Sequence, residues 1–135
     1  MPYPRTYKVF VTHCWDGQQA AYRRFKAMLP TLQYMTVVDF GNPDAGTGLS
    51  RERRVAALRE QMAEATVVLA LADLHAVCAE WLVQEVAIAR QARKPIVVVR
   101  PTGGGAVSQA VQDAAAEVVD WRGPAVGDAI KRLAK

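Results

Sequence analysis

Residues 66–99 read TVVLALADLHAVCAEWLVQEVAIARQARKPIVVV, and this stretch decides the fold. TVVLALA (66–72) and KPIVVVRP (94–101) are apolar without alternation. Such runs mark strands covered on both faces, as in a parallel sheet. Between them AEWLVQEVAIARQA (79–92) reads as a helix. Trp81, Glu85, Ile88 and Ala92 recur at spacings of four, three and four, so they share one face. Strand, helix and strand in this order predict a right-handed parallel crossover.

The same alternation extends in both directions. Upstream, YKVFVT (7–12) is a β-rich run, and GQQAAYRRFKAML (17–29) has helical spacing that stops at Pro30. YMTVVDF (34–40) is a second strand, closed by the turn-rich loop GNPDAGTG (41–48). SRERRVAALREQMAEA (50–65) predicts a helix with Ser50 as its N-cap. Downstream, TGGG (102–105) opens a short helix over 106–116, EVVDW (117–121) is a fifth strand, and 124–135 is a closing helix with Pro124 in its first turn. Five such units predict one α/β domain over residues 1–135, of flavodoxin-like three-layer architecture. Its five-stranded parallel sheet takes the order 2-1-3-4-5, with helices on both faces.

Composition narrows the classes further. The 135 residues are 51% apolar and 22% charged, with net charge +4, which is ordinary for a globular chain. Residues 1–60 hold nine Lys/Arg against five Asp/Glu, and 61–135 hold eight of each. RERR (51–54) is the densest group, and its arginines sit unfavourably towards the helix dipole. That imbalance falls short of the continuous basic face that nucleic-acid binding requires. No apolar run reaches the length of a membrane span. MPYPRTYKVFV enters a strand without an apolar leader, so neither a signal nor a transit peptide is expected. Cys14 and Cys78 form no CxxC pair, and beside His13 and His75 they lack zinc-finger spacing. Two free thiols in a reducing cytoplasm, and no metal, are the expectation.

In sheets of this order, ligands bind beyond the carboxyl ends of the strands, near the switch point between strands 1 and 3. The loop after strand 1 carries Thr12, His13, Cys14, Trp15 and Asp16. Trp15 there either stacks on a flat ring or folds back on the first helix. Asp16, just before Gly17 and the helix, suits an N-cap. The loop after strand 2 brings Phe40 and Asn42, and the segment after strand 3 begins at Asp73. None of the glycine-rich stretches forms a dinucleotide or P-loop fingerprint. Glu85 would project from the stripe of Trp81, about one turn into its helix, and so close to the loops after strands 1 and 2. Two readings of that carboxylate stand at this point: a structural partner of an arginine or of loop amides, or a group that meets a ligand.

YKVFVTHCWDG resembles the opening strand and loop of TIR (Toll/interleukin-receptor) domains, and CAEWLVQEVAIARQARKPIVVV resembles their C-x-x-W-x-x-x-E helix and following strand. The span VVDFGNPDAG through RERRVAALREQMAEATVVLALA is similar to the TIR-like proteins of bacterial Thoeris-type antiphage systems. The likeness runs in order along nearly the whole chain. It implies cleavage of NAD⁺ as a substrate, with no further cofactor, giving nicotinamide and ADP-ribose or a cyclic isomer. Glu85 matches the family's catalytic glutamate, Trp81 would wall the pocket, and Trp15 or His13 would flank the ring. Loop 41–48 matches the segment that covers the site and mediates TIR–TIR self-association, and a downstream effector would sense the product. Cys78 and Ala79 replace the usual Ser or Thr pattern before the helix Trp, and THCWDG replaces the usual first loop. A nucleoside 2-deoxyribosyltransferase-like enzyme is similar in its strand–helix–KP pattern but carries a D-x-G-T stretch that is missing here. A non-catalytic TIR adaptor is the remaining alternative. A phosphoacceptor receiver, prompted by Asp73, lacks the acidic pair after strand 1.

Overall fold

A computed structural model describes residues 5–12, 20–32, 35–39, 50–72, 75–101, 107 and 109–133, without the side chains of 5, 20, 21 and 75–81. Five strands alternate with five helices: β1 (Arg5–Val11), α1 (Ala20–Met28), β2 (Met35–Asp39), α2 (Arg51–Glu64), β3 (Val67–Leu71), α3 (His75–Gln91), β4 (Ile96–Val99), α4 (Gln109–Ala114), β5 (Glu117–Val119) and α5 (Gly123–Leu133). The sheet is all parallel in the order β2-β1-β3-β4-β5, a flavodoxin-like arrangement.

Strand position explains strand composition. Every residue of β3 and β4 is buried, because helices cover both faces at the centre of the sheet. Edge strand β2 instead alternates between buried Met35 and exposed Thr36 and Val38. Crossovers that are all right-handed put helices on opposite faces when the chain reverses direction across the sheet. Here β1→β2 runs one way and every later connection runs the other. Accordingly α2, α3 and α4 pack side by side. On the opposite face α1 meets the start of α5, where the Phe25 and Trp121 rings sit edge to face with centroids 5.5 Å apart and the Arg24 guanidinium lies over Trp121.

The helix ends follow local chemistry. Ser50 caps α2, its hydroxyl oxygen accepting from the Arg53 N–H at 3.3 Å. Pro30 stops α1, and a 3-10 turn over Leu29–Thr31 leads away from it. The C-terminus of α3 closes in a Schellman motif. Lys94 N–H donates to the Ala89 carbonyl and Arg93 N–H to that of Arg90. Arg93 is left in the left-handed region, with φ 58°. Lys94 Nζ then reaches the Ala63 carbonyl at the end of α2, at 3.4 Å. Two boundaries differ from the sequence expectation: α3 begins at His75 rather than 79, and Ala92 lies beyond its end and is exposed.

Two substitutions test these ends. Arg93→Gly removes the Cβ clash of the left-handed position and is expected to raise stability by roughly 0.5–1.5 kcal/mol in urea denaturation. Arg132 on α5 grips Glu117 of β5 through two hydrogen bonds, at 2.6 and 3.1 Å. The Arg132 hydrogen bond, against some desolvation and with the Arg132 charge helping, holds the Glu117 carboxyl below the usual glutamate range. A lowered folded-state pKa stabilises above the unfolded value and is lost as pH falls through the folded one. Glu117→Gln should therefore cost stability at neutral pH, and the difference from wild type should vanish in acid.

Candidate functional site

Two anchors set the carboxyl ends of the strands, where the fold's ligands bind. The first is Thr12, fully buried one residue past β1. Its N–H donates to the Leu69 carbonyl at 3.0 Å, and its hydroxyl oxygen accepts from the Leu71 N–H at 2.9 Å. This threonine therefore continues the β1–β3 ladder at the switch point. Its side chain is enclosed and spaces the two strands.

The second anchor, Asp39 at the end of β2, goes unnoticed in the sequence. Its side chain is fully enclosed and accepts from the Val11 N–H at 3.0 Å and the Tyr22 hydroxyl at 2.7 Å, with Lys26 Nζ at 3.4 Å. One carboxylate thus joins the ends of β1 and β2 to α1. Charge-assisted hydrogen bonds of this kind are the strong ones. Its only sequence signal is an acid at the end of a strand whose helix supplies Tyr and Lys four residues apart.

Glu85 is fully buried, and Thr12 is the other buried polar residue among those described. On α3 it belongs to the buried stripe of Leu82, Val86 and Ala89, while Val83, Ala87 and Arg90 are exposed. The carboxylate therefore faces the core between α3 and the sheet. Because α3 starts at His75, Glu85 lies ten residues in, about 15 Å along the helix rather than one turn. The expected stripe changes with it: Ile88 is buried with Glu85, and Ala92 is not. Trp81 is on α3 one turn before Glu85, with its backbone alone described. His13, Cys14, Trp15, Asp16, Phe40, Asn42 and Asp73 fall outside the described residues.

A carboxylate held in this setting can stabilise a positive charge that develops beside it, since low polarity strengthens electrostatic attraction. It can equally anchor a core through a fixed partner. The chain matches no protein-family model, and no curated protein matches it significantly. The fold defines the class: an α/β domain with a flavodoxin-like parallel sheet.

The Asp39 anchor makes a direct prediction. Asp39→Ala removes the acceptor of the Val11 N–H and the Tyr22 hydroxyl and is expected to cost roughly 3 kcal/mol, with Tyr22→Phe costing about 1 kcal/mol. Urea denaturation of the two variants measures both values.

Proposed function

We propose that this chain is a TIR-like enzyme that cleaves NAD⁺, with Glu85 as the carboxylate that meets the nicotinamide ribose. The observation that carries the reading is the full burial of Glu85 on the sheet-facing stripe of the helix that follows β3. An ionised group in such a place is costly unless it is paired or used. The sheet order supports the reading too, as does the ordered likeness of the first strand, the Trp–Glu helix and the KP strand to TIR domains.

The chemistry is heterolysis of the bond between ribose C1′ and the nicotinamide nitrogen. The bonding pair moves onto the pyridinium ring and neutralises it, leaving positive charge shared by C1′ and the ring oxygen. Glu85 stabilises that charge and holds a ribose hydroxyl. Water then adds at C1′ and releases a proton, giving ADP-ribose, or an adenine nitrogen closes a cyclic isomer. The resemblance would have Trp81 wall the pocket, His13 or Trp15 flank the departing ring, and Phe40 and Asn42 belong to the covering loop. The setting is cytoplasmic signalling in bacterial defence, with TIR–TIR assembly and an effector that reads the product.

Zero exposure of Glu85 also favours a second reading, a non-catalytic interaction module in which this carboxylate is a core anchor. Nicotinamide release from NAD⁺, measured over a range of protein concentration to populate assemblies, separates the two. Under the enzymatic reading, Glu85→Gln keeps its circular dichroism spectrum and loses turnover by roughly a hundredfold or more. Under the interaction reading, wild type is silent at every concentration and the variant melts at lower temperature.

A further inference from the structure

On the opposite face from α3, the described residues enclose a groove of about 530 Å³ between the end of α1, the start of β2 and α5. That volume is within the range of about 300–1,000 Å³ typical of small-molecule sites. Its apolar surface comes from Met28, Leu32 and Met35, and the backbone of Gly123 and Gly127 opens its α5 wall. Thr31, Asp128 and Lys131 line it as well. We infer that this groove binds a small aryl carboxylate, with the ring between the methionines and the carboxylate on Lys131.

Three observations set the ligand class. Methionine thioethers adapt to irregular shapes and favour contact with aromatic rings, and here two of them line one trough. Lys131 is exposed and has no hydrogen bond or ion pair among the described residues. Asp128 lines the same groove, and its charge also acts on Arg132 one helical turn further along α5. Among the described residues the rim therefore offers Lys131 as a cation without a hydrogen bond or ion pair above an apolar wall, which is complementary to an amphipathic anion.

Gly127 supplies a separate check on the groove. It sits inside α5, where glycine is a poor helix former relative to alanine. Packing does not demand it. A Cβ at this position would meet Met35 Sδ at 3.5 Å and Leu32 Cδ2 at 3.9 Å, both ordinary contacts. Alanine would thus strengthen the helix while filling part of the trough. The groove and the helix make opposite demands on this residue.

The test uses the full chain labelled at its methionine methyls and titrated with 2-naphthoate, observed by NMR. The chain has four methionines. Met62, fully buried on α2, serves as an internal control. The Met28 and Met35 signals are expected to move with a single affinity while Met62 stays still. Lys131→Gln should weaken binding about two- to fivefold, the range of an exposed ion pair. Gly127→Ala should weaken it while leaving the unfolding midpoint unchanged or higher. Silence of Met28 and Met35 at millimolar naphthoate would overturn the site. Equal binding of the neutral alcohol 2-naphthalenemethanol, or an unchanged affinity in Lys131→Gln, would overturn the carboxylate assignment. Unchanged affinity in Gly127→Ala would overturn the role of the trough. Each result is independent of NAD⁺ turnover, since the groove and Glu85 lie on opposite faces of the sheet.

Discussion

The structure depends on the burial of β3 and β4. All nine strand positions, five in β3 and four in β4, are buried. Such strands are stable only when both faces are covered, so the chain must deliver helices to each side. Right-handed crossovers then fix which helix goes where. α1 and α5 share one face, and α2, α3 and α4 the other. The location of every polar group of interest follows from that division.

Against this apolar frame the enclosed polar groups are few, and they have distinct tasks. Thr12 extends a ladder at the switch point, and Asp39 ties two strand ends to a helix. Both act at the carboxyl edge, where the loops after β1 and β2 depart. Glu85 is different, because it comes from a helix and sits among Leu82, Val86 and Ala89. Among the described acids, Glu85 is the one whose whole residue is buried, which makes it the chemical candidate.

Much of this architecture was legible in the sequence. The unbroken apolar runs at 66–72 and 94–101 announced buried strands, and Ser50 and Pro30 marked helix ends by their own chemistry. The start of α3 was not legible. DLHAVCAEW contains no spacing that separates a loop from a first helical turn, so the sequence pattern alone places the helix start four residues late. With the start at His75, Glu85 lies about 15 Å along the helix. Asp39 was missed for another reason. Its partners Tyr22 and Val11 are 17 and 28 residues away in sequence, and such contacts become visible only after the strands are paired. Among the expected ligand contacts, Thr12 and Glu85 alone have described side chains, and both are enclosed.

The two strand-end anchors also differ in the length of chain they close. Val11 to Asp39 spans 28 residues, and Thr12 to Leu71 spans 59. Closing a longer loop costs more entropy, by about 0.6 kcal/mol for each doubling. The β1–α1–β2 unit is therefore entropically the nearer of the two closures, and it carries its own buried carboxylate to hold it. One aspartate and one threonine thus mark two closures of unequal entropic cost, the smaller at the edge of the sheet and the larger at its centre.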